Sequence, residues 1–303
     1  MTGLADLHRH LDGSLRPSTL EELATAAGRS VPQDLRFRPG MGLDEALARF
    51  RFTLSLLQGR APVRRVAAEI CEDARAEGVT TLEIRFAPQL HGDSLPAIVD
   101  AALDGIDGRA GLILCGLYGE DPAILEEAVR VGSARRGVVG IDLAGGPAAG
   151  HAFRLEDYAN AFRAAREAGL GRTVHASEGR PPAEIREAIE LLAATRIGHG
   201  TTLLEDASVV DLVIERQVTI EACPTSNVHV GVFDSVEEHP LPRWLDRGVR
   251  ACVCSDNTLL SDVTAREELD RVSGIPGMDD EKLARVIRHG HEAAFRGVRR
   301  RRR

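Results

Sequence analysis

The sequence predicts an α/β fold, a (β/α)8 TIM-type barrel in a single domain. Three observations carry this prediction. Eight short, apolar, β-branched runs alternate with longer amphipathic segments, an order that gives parallel strands joined by helices. The length of 303 residues suits one barrel, since barrels of about 250 residues or more are common. Polar residues able to do chemistry stand at the ends of several runs, where a barrel gathers its active site. An open doubly wound sheet is the alternative, but no G-x-G-x-x-G follows the first run.

The eight runs are LADLHRHL, VTTLEIRFA, GLILCGLY, GVVGIDLA, RTVHAS, TRIGHG, QVTIEACP and VRACVCSDN. Between them, segments 61–78, 121–136, 155–169 and 181–196 repeat apolar residues at three and four positions with charges on the other face, which is the pattern of surface helices. Residues 30–60 form an insertion after the first strand, with a helix expected near 43–57. We read it as a lid, with an ordinary connecting layer as the alternative. The chain ends in an Arg-rich tail, 296–303, a kind of charge run that is usually solvated.

Composition excludes several classes. The formal charge of -8 disfavours a general nucleic-acid role. No run of about 18 apolar residues suggests a membrane span, and no secretory signal is expected. The cysteines are Cys71, Cys115, Cys223, Cys252 and Cys254. Their odd number and irregular spacing fit thiols in a reducing cytoplasm. Cys252 and Cys254 read as buried strand residues, and their C-x-C spacing is narrow for structural zinc.

His8 and His10 share one face of the first run, with Arg9 opposite. Two imidazoles so placed can grip one metal ion from one side. His175 and Glu178 come from HASE, His199 from RIGHG between two glycines, and Asp256 from CSDN. A catalytic zinc needs nitrogen and oxygen donors with a position left for water. His8, His10, His175 and Asp256 make such a set, and Glu178 and His199 remain as acid and base. A bound divalent metal lowers the pKa of water from ~15.7 to roughly 7, and the activated water attacks an electron-poor carbon. Asp256 can also accept a hydrogen bond from that water. His91, His151, His229, His239, His289 and His291 have no such partners, although His229 follows the seventh run closely.

The motifs HRHLDGS, GIDLAGG, HASE, RIGHG, CPTSN and CSDN, in this order, resemble the adenosine deaminase family of the metal-dependent amidohydrolase superfamily. The stretch EICEDARAEGVTTLEIRFAP resembles the family's second strand and the helix before it. The resemblance runs from residue 6 to about 262. It implies one zinc per chain held by His8, His10, His175 and Asp256. It also implies that Glu178 protonates purine N1 and that His199 orients and deprotonates the attacking water. Gly145 would offer its N–H to purine N3, Asp12 would bind a ribose hydroxyl, and Asn257 would face N7. Three departures stand out. Ser177 replaces the glycine of H-A-G-E, and its small size predicts little effect. Asn257 replaces the usual second aspartate, though its amide can donate to N7 without being protonated. GGPAAG lacks the acidic residue that often follows DLAGG.

The first reading is therefore a zinc-dependent enzyme converting adenosine to inosine and ammonia, whose partner is a purine nucleoside rather than a nucleic acid or membrane. The second is deamination of adenine, or of a 5′-modified adenosine such as aminodeoxyfutalosine or methylthioadenosine. Asp12 tilts the choice to a nucleoside, because relatives acting on the free base often carry glutamate there. The third is a purine-binding relative without catalysis.

Overall fold

A computed structural model describes residues 3–148 and 150–296. The Arg-rich tail, apart from Arg296, lies outside the described residues. The strands are β1 (Leu4–His10), β2 (Val79–Phe86), β3 (Gly111–Leu117), β4 (Val138–Ala144), β5 (Gly171–Ala176), β6 (Arg196–His199), β7 (Thr219–Ala222) and β8 (Arg250–Val253). They form one eight-stranded parallel sheet in sequential order. The ring closes just past β8, where Arg9 bridges Asp256 in parallel. There the His10 N–H donates to Asp256 O and the Asp256 N–H to His8 O, each at 2.8 Å. The seam is thus made by the residues that open and close the site.

Helices α1 (Pro17–Ala26), α2 (Leu43–Leu56) and α3 (Arg60–Ala76) fill the long connection to β2. The others are α4 (Leu95–Ile106), α5 (Pro122–Ser133), α6 (Ala159–Glu167), α7 (Ala183–Leu192), α8 (Ala207–Glu215), α9 (Pro224–His229), α10 (Leu241–Asp246), α11 (Ala265–Ser273) and α12 (Asp280–Ala293). In α3 the buried residues are Val63, Val66, Ala67, Ile70, Cys71 and Ala74, the three-and-four stripe that a core-facing helix needs. Asp121 accepts from the Ala123 N–H ahead of Pro122, so a capping side chain and a ring fixed for the first turn start α5. Thr264 and Glu267 form a reciprocal capping box on α11.

The barrel interior departs from the usual apolar layers. Arg196 pairs with Glu83 at 2.6 Å and with Glu221 at 2.7 Å. Arg85 pairs with Glu221 and Asp142, both at 2.8 Å. All five side chains are buried. Two guanidiniums and three carboxylates therefore run up the barrel axis. Phe295 lies over the Arg196 guanidinium, 3.5 Å from the ring centroid, a cation–π contact that covers the lower end of the column.

Helix α2 fills the place expected for a helix in the insertion. No helix among the described residues is long and apolar enough to cross a membrane. All five cysteines are buried free thiols, and Cys252 and Cys254 Sγ stand 3.8 Å apart.

Candidate active site

Four donor atoms meet at the carboxyl ends of β1, β5 and β8. His10 Nε2 is 3.3 Å from His8 Nε2 and 3.3 Å from His175 Nε2. Asp256 Oδ1 is 3.5 Å from His10 Nε2 and 3.7 Å from His8 Nε2. Two ligands about 2.0–2.1 Å from one ion in a tetrahedral arrangement stand about 3.3 Å apart. These are spacings of ligands to one divalent ion, and the donors of His8, His10 and Asp256 all lie within 4.8 Å of one another.

The outer nitrogens of two of these rings are held by carboxylates. His8 Nδ1 is 2.7 Å from Glu221 Oε2, and His175 Nδ1 is 3.1 Å from Asp142 Oδ2. Such carboxylates fix the ring orientation and leave the other nitrogen's lone pair for a metal. Arg85 ties the two carboxylates together and also donates to Leu7 O at 2.6 Å. Burial opposes ionisation of Asp142, yet His175 and Arg85 hold its carboxyl well below the usual range. Burial, reinforced by Arg85, lowers His8 well below an ordinary imidazole, so it is a neutral donor ready for a metal. Sequence reasoning missed Arg85, Asp142 and Glu221. The signal was present, since a charge at an inward position of a strand buried on both faces requires a partner.

His199 and Glu178 stand beside the four donors. His199 also groups with His8 and His175, and with Cys223 and Asp256. Its hydrogen-bonding surroundings are different, however, with Asn227 Nδ2 at 3.1 Å from Nδ1 and Glu178 Oε1 at 3.5 Å. Burial pushes the His199 ring down to about 3 and moves the Glu178 carboxyl up. An imidazole whose pKa is lowered beside a carboxyl whose pKa is raised is the kind of pair that can serve as base and acid. Gly198 has a steric reason, because a Cβ there would meet His8 Cε1 at 2.9 Å.

Ser177, His199 and Asp256 have φ of 57, 67 and 60°. Left-handed backbone at a non-glycine residue costs roughly 1–2 kcal/mol and gathers at functional sites. Size is therefore not the main issue at Ser177; the position has a backbone reason to prefer glycine. Its hydroxyl donates to Pro181 O at 2.9 Å and its N–H to Glu184 Oε2 at 2.8 Å, which offsets part of that cost.

These groups open into a cleft of about 570 Å³ that also reaches Asp12, Gly145, Asn257, Cys115, Tyr118 and Arg180. The insertion supplies one wall through Phe37, Leu43, Leu47, Phe50 and Leu54. Asp12 Oδ1 and Asn257 Oδ1 are buried without a partner among the described residues, as polar groups awaiting a ligand would be. Burial raises Asp12 to about 6. Asn257 lies directly over Gly13, where a Cβ would meet its Oδ1 at 2.0 Å. A larger groove of about 1420 Å³ at the opposite end of the barrel, around Thr80, Glu83 and Gly111, carries none of this chemistry. His229 meets Ser261 Oγ at 3.3 Å and packs edge-to-face against Phe37.

The adenosine deaminase family profile matches residues 3–303. An adenosine deaminase of Clostridium perfringens is 34% identical over 96% of this chain and 93% of its own length. A probable adenosine deaminase of Dictyostelium discoideum is 33% identical over 96% of this chain, which spans only 40% of that longer protein. The crystal structure of an adenine deaminase from Arthrobacter aurescens superposes with a TM-score of 0.88 at 25% identity, covering 98% of this chain and 95% of the other. The chain belongs to the adenosine deaminase family, hydrolases that act on C–N bonds.

Proposed function

We infer that the protein deaminates an adenine nucleoside, adenosine first, replacing the 6-amino group with oxygen and releasing ammonia. The observation that carries this is the convergence of His8, His10, His175 and Asp256 beside the Glu178–His199 pair in one cleft. His8, His10, His175 and Asp256 would hold a divalent ion, zinc by the nitrogen-rich donor set, which would lower the pKa of a bound water. His199 takes a proton from that water as it adds to C6. Glu178 gives its proton to N1, so charge does not build up on the ring. The proton taken by His199 passes to the amino group, which leaves as ammonia, and the remaining hydroxyl proton on O6 returns to Glu178 as the C6 carbonyl forms. Asp256 accepts a hydrogen bond from the attacking water.

Asp12 suits a ribose hydroxyl because its unpartnered Oδ1 lies in the same cleft. Gly145, at φ 80° on the wall, would present its N–H to N3. A second reading, a 5′-modified adenosine, is favoured by the apolar wall of Leu43, Leu47 and Phe50, which suits an apolar substituent. A screen of adenosine, adenine and 5′-substituted adenosines, following loss of the adenine absorbance band, ranks these substrates. Elemental analysis should find about one zinc per chain. Full activity without metal in strong chelator would overturn the metal reading.

The substrate's N7 gives a sharper test. Asn257 makes no side-chain hydrogen bond to its own loop among the described residues, which argues against a purely capping role. Its amide can donate to N7, which only accepts. Stranding a buried donor costs about 1–3 kcal/mol, or roughly 5- to 150-fold. The enzyme should therefore prefer adenosine to 7-deazaadenosine by that factor in kcat/KM. Asn257→Ala should lower activity on adenosine and largely erase the preference. An unchanged ratio in the folded variant rules the contact out.

A further inference from the structure

Asn227 lies in α9, just beyond the end of β7, and is fully buried. Its backbone is held at both ends. Its N–H donates to Cys223 O at 3.0 Å, and its carbonyl accepts from the Val232 N–H at 2.9 Å. The side-chain amide meets His199 Nδ1 at 3.1 Å through Nδ2, and Oδ1 has no partner among the described residues. A half-turn of an Asn amide exchanges its oxygen and nitrogen without changing its shape. The two orientations have opposite chemical consequences. If Nδ2 donates to Nδ1, the ring proton is on Nε2 and the ring cannot accept another there. If Oδ1 faces the ring, the proton is on Nδ1 and Nε2 carries a lone pair.

Two features favour the second orientation. The nitrogen beside Asn227 also faces Glu178 Oε1 at 3.5 Å, so with the Glu178 proton on the farther oxygen, where it would serve N1, a proton on Nδ1 lies between two oxygen acceptors. A lone pair on Nδ1 would instead face the carboxyl oxygen. With Nδ1 engaged by Asn227, Nε2 is the nitrogen left for chemistry. We propose that Asn227 presents its amide oxygen to His199 and fixes the Nδ1–H tautomer, keeping the Nε2 lone pair ready for the proton of the attacking water. Asn227 is then a positioning residue that acts through His199. Its catalytic importance rests on the reading of His199 as the base, while the tautomer itself does not.

Nitrogen NMR on ¹⁵N-histidine-labelled protein, with zinc and without substrate, tests the tautomer directly. The His199 signals are identified by their loss in His199→Gln. The expected result is a protonated, pyrrole-type Nδ1 and an unprotonated, pyridine-type Nε2. The reverse pattern overturns the proposal, whatever the enzyme's substrate. Asn227→Asp supplies only acceptors and should keep the wild-type tautomer and kcat within about threefold. Asn227→Leu supplies none and should lower kcat by about 10–100-fold, the range for losing a group that orients a catalytic ring, with KM little changed. An Asp variant as slow as the Leu variant, with both folded, also overturns it. The correct tautomer in a protein that deaminates no adenine nucleoside would leave this inference standing and remove the proposed function.

Discussion

Glu178→Gln is expected to keep the fold and the bound metal and to lose about 10²- to 10⁴-fold in kcat, the usual worth of a general acid. Glu178 is buried at the wall of the cleft, and burial raises its carboxyl from the ordinary range. The shift increases the protonated fraction near neutral pH, which is the form that can donate. Glutamine has the same shape and can still hydrogen-bond, but it has no acidic proton to deliver to N1. Metal content should match wild type, because Glu178 is not among the four converging donors. Steady-state kinetics on adenosine with metal analysis of the same sample checks both statements. If the variant kept more than about a tenth of wild-type kcat, the acid would have to be reassigned.

Arg85→Met should be the most destabilising substitution discussed here. The guanidinium is fully buried and bonds Asp142, Glu221 and the Leu7 carbonyl. Methionine fills much of the space but leaves Asp142 with only His175 and the Cys115 thiol, and leaves Glu221 with Arg196 as its one remaining guanidinium beside His8 and Thr173. Removing one partner of a buried ion pair costs about 3–5 kcal/mol. Thermal unfolding should therefore begin several degrees lower. The carboxylates that orient His8 and His175 also lose their tie, so metal affinity should fall by about 10–100-fold. Melting of metal-free protein measures the first effect, and competition with a chelating dye measures the second. A variant melting with wild type would show that the barrel tolerates the unpaired charge. A large melting shift with unchanged metal affinity would restrict Arg85 to stability.

The barrel was legible because its signals are local. β-branched runs of strand length alternate with helical stripes, and seven of the eight runs contain a whole strand, the fifth missing only Gly171 at the start of β5. His8, His10, His175, His199 and Asp256 were legible because barrel topology alone sends strand ends to one face. The buried support was harder to read. Nothing near Arg85 in sequence says that it bridges Asp142 on β4 and Glu221 on β7. Strict alternation misleads at Asp6, where a register shift before Arg9 allows Asp6 Oδ2 to pair with Arg9 Nε at 2.8 Å. Ser177 read as a question of size, because a positive φ leaves no mark in a single sequence. Asn227 was quoted within CPTSN without a role, since its partner His199 belongs to another strand.

The charged column has a consequence for how the chain is made. Glu221, late in the sequence, serves His8 of β1 and Arg85 of β2. Arg196 of β6 serves Glu83 of β2, and Asp142 of β4 serves His175 of β5. A nascent chain that has emerged only as far as β4 thus holds the Arg85–Asp142 pair but carries Glu83 with its complement Arg196 not yet synthesised, and Arg85 without Glu221. Sealing them in a partial barrel would strand them away from water, at a cost of several kcal/mol for each charge. The first four strands are consequently a poor autonomous folding unit, despite their continuous apolar runs. Splitting the gene between β4 and β5 would divide the Arg196–Glu83 and Arg85–Glu221 pairs and the four converging donors between two polypeptides. Glu221 becomes available only with β7, and the ring itself closes only when Asp256, past β8, reaches β1.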